Sequence, residues 1–195
     1  MYSTTGITTT SNDVAYLEAG IHDNVELVNI RKDVSPNGNK FIELTFDKDG
    51  ERMIHTEYEP KRSANETQEE FDKKQANQGA RFYRIGSCFT QDPDLFKYTA
   101  IDFDDFMNKF MQRVNPIYKG VKLRVKVVLN NKNFTTLPKY TTYTFIEPMS
   151  VEKSKIKKLT IDKFDKTFAD SEKTVTNPFD TTNVTTTAKT DDLPF

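Results

Sequence analysis

Cysteine is nearly absent. Cys88 stands alone, so no intramolecular disulfide can form, and a thiolate-rich zinc site, which needs two or more cysteines along with histidine, is excluded. A lone cysteine reads as a small core or surface residue. Tryptophan is missing altogether, and His22 and His55 are the only two histidines. Neither stands in a triad or a metal-ligand spacing. No phosphate loop, dinucleotide fingerprint or metalloprotease motif is present. Asp102, Asp104 and Asp105 superficially resemble a nuclease cluster, but their place at the start of a helical pattern gives them a sufficient structural role. No enzyme activity, cofactor or metal is expected. Long apolar runs are lacking too: nothing approaches the ~18 residues a membrane span needs. The stretch Met1–Asn12 is polar and does not read as a secretory signal. A reducing, cytosolic setting is expected. Charge of one sign is also lacking, since the net charge is −1 with 29% charged residues, so basic character has to be sought region by region.

What is there is one domain's worth of patterned chain between polar ends. The 195 residues are 35% hydrophobic, low for a packed chain, so part of it is expected to stay solvated. Residues 1–18 carry Thr4, Thr5, Thr8, Thr9 and Thr10 and read as a disordered N-terminal segment. From 19 to 169 the pattern is that of a folded domain. Val25, Leu27, Val28 and Ile30 lie in a β-like run that ends at Ser35-Pro36-Asn37-Gly38. Ile42, Leu44 and Phe46 alternate with Phe41, Glu43 and Thr45, Lys48-Asp49-Gly50 makes a turn, and Met53–Tyr58 runs back with Ile54, Thr56 and Tyr58 on one side. Residues 65–78 predict a surface helix, from the pairs Glu69→Lys73 and Glu70→Lys74, with Gly79 closing it and only a thin apolar face to attach it. Residues 80–96 do not resolve. Phe103, Phe106, Met107, Phe110, Met111 and Val114 form one apolar stripe at helical spacing, capped by Asp102 and stopped at Asn115-Pro116.

Two further strands follow. Val121, Leu123, Val125 and Val127 alternate with Lys122, Arg124 and Lys126. Asn130–Asn133 supplies a turn, and 140–146 returns as a strand. Residues 151–168 read as either an edge strand or a short helix. Three strands, a helical insertion and two strands give the expected class: mainly β (α+β), a five-stranded OB-fold barrel with the insertion between strands three and four. The other reading of the pattern is a small antiparallel α+β sheet. From 170 to 195 a disordered tail is expected, with eight threonines between 174 and 190.

The tail ends Asp191-Asp192-Leu193-Pro194-Phe195. This resembles the acidic C-terminal tip of the bacterial single-stranded DNA-binding proteins, over those five positions and the polar tail before them. The resemblance implies a protein-interaction element whose partners are replication and repair proteins such as primase, helicase or polymerase components. The chemistry fits: a terminal Phe offers a ring and an α-carboxylate together, Pro194 lowers the ordering cost, and the two Asp meet a basic rim. A linker of 17 residues spans roughly 20–25 Å as a random coil. The body departs from that family, having no Trp and a large insertion at 59–118. The polar, Thr-rich chain looks more like a bacteriophage-encoded member, which would place it in the host cytoplasm. The function implied is non-specific binding and protection of single-stranded DNA in replication, recombination or repair.

Residues 170–195 carry five acids against two lysines, and the rest of the chain is correspondingly basic by +2. Lys122, Arg124 and Lys126 share one face of their strand, flanked by Lys119, Lys132 and Lys139. Facing outward they would track phosphates; the same pattern also describes a solubilising face. Candidate stacking residues are Phe41, Tyr58, Phe82, Tyr83, Tyr140 and Tyr143, and Arg81 and Arg84 make residues 81–98 a second candidate surface. Two other functions stay open: a replisome adaptor that docks through the tip without binding DNA, and an RNA-binding barrel. Oligomeric state is open as well.

Overall fold

A computed structural model describes residues 15–166 of the chain. The strands are β1 (Gly20–Val34), β2 (Lys40–Lys48), β3 (Glu51–Tyr58), β4 (Lys122–Leu129), β5 (Thr135–Thr136) and β6 (Ile146–Pro148), and the helices α1 (Gln68–Ser87) and α2 (Phe103–Val114), with a 3-10 turn at Pro93–Phe96 between the helices. All strand pairings are antiparallel, in the order β3-β2-β1-β4-β5, with β6 also on β4. The fold is thus mainly β with a helical insertion between the third and fourth strands. Among the described residues no ladder joins β3 to β5, so strand pairing does not close the sheet into a barrel. The two ends nevertheless approach each other: His55 Nδ1 on β3 lies 2.8 Å from Thr136 Oγ1 on β5.

The β2–β3 hairpin forms as its alternation predicts. Asp49 and Gly50 both take positive φ (54° and 93°), the geometry of a two-residue hairpin turn whose twist matches the strands. Ile42, Leu44, Phe46 and Met53 are buried, while Phe41, Thr45, Ile54 and Tyr58 face the other side. The inner face of β3 also carries His55 and Glu57, both buried. Helix α2 is capped by Asp102, whose side chain accepts from the Asp105 backbone N–H. Its Met107, Phe110 and Val114 join the sheet's apolar residues in one core, with Phe110 edge-on to Phe82 of α1 at 4.9 Å between ring centroids.

Four expectations are corrected. Helix α1 does not stop at Gly79 but runs to Ser87, and its second half holds Phe82 and Ile85 in the core. Gln78, Phe82 and Ile85 extend a buried stripe through the glycine, and this burial outweighs the ~1 kcal/mol that glycine costs a helix. The strand expected at 140–146 is irregular until Ile146, where arginines of α1 engage the chain: Arg84 donates to Thr141 O, and Arg81 to Lys139 O just before it. Residues 151–166 are neither strand nor helix. The expected disordered segment 1–18 packs on the domain at its end, since Leu17 is fully buried and Tyr16 bridges to Arg52. The rest of the polar N-terminal segment and the acidic tail lie outside the described residues.

Candidate nucleic-acid interface

The alternation in β4 correctly separates an apolar face, Leu123, Val125 and Val127, all fully buried, from a face carrying Lys122, Arg124 and Lys126. That second face is not a free cationic track. Lys122 Nζ pairs with Glu26 at 2.5 Å, directly across the ladder on β1. Arg124 pairs with Asp23 at 2.5 Å and Glu147 at 2.8 Å. These partners hold both cations above their usual pKa through charge-assisted hydrogen bonds. Lys126 is fully buried, a correction to its expected outward position. The irregular segment after β6 folds over it, and its Nζ donates to Asp162 at 2.7 Å, to the Tyr140 hydroxyl at 2.8 Å and to the carbonyl of Lys157. An ammonium taken out of water needs such a complete set of partners.

Arg81 is likewise structural. Its guanidinium grips Glu57 through Nε at 2.7 Å and a second nitrogen at 2.9 Å and reaches the Lys139 carbonyl at 3.0 Å. Gln78 and His55 complete the shell around Glu57. Burial opposes the charged carboxylate, but hydrogen bonds and charge from His55 and Arg81 outweigh it and hold Glu57 well below the usual carboxylate range.

The other sequence candidates fall into two groups. Phe41 and Tyr58 are cross-strand neighbours on the outer face of the hairpin, their ring centroids 5.6 Å apart. Tyr58 and Ile54 are exposed beside them, and Arg31 lies over the Phe41 ring at 5.4 Å, although its guanidinium is also tied to Glu43 and Asp33. The second group surrounds the end of α1. Arg84 donates only to neutral acceptors, Thr144 Oγ1 at 3.2 Å and Thr141 O at 2.9 Å, and forms no ion pair among the described residues. Tyr140 and Tyr143 meet edge to face at 5.7 Å, with Tyr143 half exposed. Burial first, and then the hydrogen bond to Asp162, raise the Tyr140 hydroxyl far above its ordinary value. Tyr83, Arg84, Thr144 and Lys155 line one mostly apolar groove of about 410 Å³ with Ile146 and Val151. Lys139, Lys153, Lys157 and Lys158 add cations that form no ion pair among the described residues, against Glu152 and Asp165 as the acids of residues 151–166 that form none either. Hydrogen bonds link the two groups: Gln78 donates to Tyr58 O, and Arg81, one turn along α1, to Lys139 O.

Lys119 is exposed in the turn before β4, apart from both groups. The sequence reading missed Phe134, which is 66% exposed at the β4–β5 loop; an aromatic directly after the Asn130–Asn133 turn is the signal that pointed to it. It also passed over the lysines at 153–158 as an interface, although their density is visible in the sequence. Asp191, Asp192, Leu193, Pro194 and Phe195 lie outside the described residues. Cys88 is buried, and burial pushes its thiol up to about 12, which leaves it unreactive. No cluster of His, Cys, Asp and Glu able to hold a metal occurs among the described residues, and none of their helices is long and apolar enough to cross a membrane. No protein-family model matches the sequence, and no curated protein matches it significantly.

Proposed function

We propose that this protein binds and protects single-stranded DNA without sequence specificity, and that Asp191–Phe195 recruits replication or repair proteins. The observation that carries the reading is the convergence at the end of α1: a guanidinium that pairs with no carboxylate among the described residues, a tyrosine pair and a lysine-rich segment. Stacking rings accept any base, and cations track the backbone, which together suit non-specific coating. The strand runs from Phe41 and Tyr58 past Lys139 to Tyr140, Tyr143 and Arg84, with Lys155, Lys157 and Lys158 along its phosphates. Lys122, Arg124, Lys126 and Arg81 hold the fold that presents this surface. A five-stranded path with its helix between strands three and four, and its two ends bridged by His55 and Thr136, supports an OB-like, partly open barrel. The resemblance of the tip to that of bacterial single-stranded DNA-binding proteins supports the docking role.

The test is a binding titration of labelled oligo-dT with Arg84→Ala and Tyr143→Ala. Each stacked base is worth ~1–3 kcal/mol, so Tyr143→Ala should weaken binding by roughly five- to a hundredfold. Arg84→Ala should weaken it and flatten the salt dependence. Unchanged affinity in both would remove this surface from the account. A replisome adaptor that binds no DNA is the second reading, and one observation favours it: the cations of β4 are neutralised by ion pairs. Such an adaptor would not retard oligonucleotides at moderate salt. Matched DNA and RNA oligomers would separate an RNA-binding protein, since only RNA presents the 2′-hydroxyl.

A further inference from the structure

A cleft of about 260 Å³ opens between the far end of the β1–β2 hairpin and the first turn of α2, lined by Lys32, Val34, Lys40, Phe41, Phe103 and Asp104, among others. Two ammonium groups from adjacent strands converge there on one carboxylate. Lys40 Nζ lies 2.5 Å from Asp104 Oδ2, and Lys32 Nζ lies 3.7 Å from Asp104 Oδ1. All three side chains remain 38–44% exposed, so the ion pairs can exchange for others. Asp33 lines the cleft too, but its carboxylate is engaged by Arg31 at 3.0 Å; Glu59 and Asp102 act on Lys40 only through their charge. Phe41 borders the cleft, but its ring stands on the opposite face of the sheet with Tyr58 and Arg31, whereas Lys32 and Lys40 share the face of the buried Ile42.

Two lysines bridged by two oxygens of one carboxylate is a donor set that a phosphate can also fill. We propose that this cleft takes one phosphate of the bound strand, which displaces Asp104 from between Lys32 and Lys40. Asp104 occupies the phosphate position in the free protein and acts as an internal competitor. Exchanging one anion for another between the same lysines makes entry reversible and sensitive to salt. The inference rests on the single-stranded DNA reading and adds one phosphate contact to its path.

The experiment is an anisotropy titration of oligo-dT at several salt concentrations with the full chain, Asp104→Asn, the double variant Lys32→Ala/Lys40→Ala and the triple variant combining them. Asp94→Asn is the control, an exposed acid paired with Lys97 at 2.6 Å outside the cleft. Thermal unfolding of each variant verifies folding. Asp104→Asn should bind three- to tenfold tighter, with a log–log salt slope steeper by ~0.7, the value for one more phosphate contact on a single strand. The double variant should bind more weakly, and Asp104→Asn should have no effect in its background. Asp94→Asn should change nothing. If the full chain binds oligo-dT but Asp104→Asn leaves affinity and slope unchanged, or acts equally with and without the lysines, this inference falls alone. If the full chain does not bind, the underlying reading falls and takes the cleft with it.

Discussion

At the scale of single residues, the polar side chains that face inward set how this domain responds to acid. Glu57 is 4% exposed, and its carboxylate is held by the Arg81 guanidinium on both oxygens and by the His55 ring on Oε1. Its folded pKa is lowered from 4.5, so the carboxylate contributes stability that is complete above about 4.5 and is lost as pH falls below that value. Removing one partner of a buried pair typically costs ~3–5 kcal/mol, because the other charge stays buried. Glu57→Gln is therefore expected to lower stability at pH 7 by about 3 kcal/mol and to flatten the fall in stability between pH 5 and pH 2. Chemical denaturation across that range checks both; a variant with the parent's slope in acid would remove Glu57 from the account. Lys126 repeats the lesson with opposite charge. Its alternation with Leu123 and Val125 fixes its face correctly, but no local pattern shows that Asp162, far along the chain, will fold over it.

At the scale of elements, α1 poses the sharpest balance between propensity and packing. It contains two glycines with opposite surroundings. A Cβ on Gly79 would meet only Phe106, at an ordinary 4.0 Å, whereas on Gly86 it would stand 2.3–2.5 Å from the buried Phe96 ring. Alanine exceeds glycine in helix propensity by ~1 kcal/mol, so Gly79→Ala should stabilise the domain by about that amount. At Gly86 the clash wins, since overpacking costs ~1–3 kcal/mol or more when a buried ring must shift. Gly86→Ala should lower the unfolding temperature and Gly79→Ala should raise it; the same sign in both would contradict the packing of α1 on the Pro93–Phe96 turn. This helix also marks how far the sequence could be read. The β2–β3 hairpin and α2 were legible because alternation, turn residues, stripe and cap all agree locally. The end of α1 was hidden by Gly79, which local rules treat as a stop. The irregular path in place of the expected strand at 140–146 was hidden because Arg81 and Arg84, which engage the chain there, belong to another element. The candidate interface was legible only as residue types, Tyr140, Tyr143, Arg84 and Phe41. The ion pairs that neutralise β4 depend on cross-strand register and chain return, neither of which a single strand displays.

At the scale of the whole molecule, the surface divides by charge pairing rather than by net charge. The outer face of β4 is laced with ion pairs from β1 and β6, while cations that pair with no carboxylate among the described residues gather around the end of α1 and the segment after β6. A polyanion gains most where it need not displace existing partners, and so this second surface carries the main path of the proposed strand, the Asp104 cleft adding one contact by exchange. The central claim is tested most directly by fluorescence anisotropy of labelled oligo-dT, against a duplex of equal length, titrated with the full chain at several salt concentrations. The account predicts binding that prefers the single strand and weakens steeply as salt rises. Absence of binding at low salt, or equal affinity for the duplex, would contradict it and leave the adaptor reading in its place.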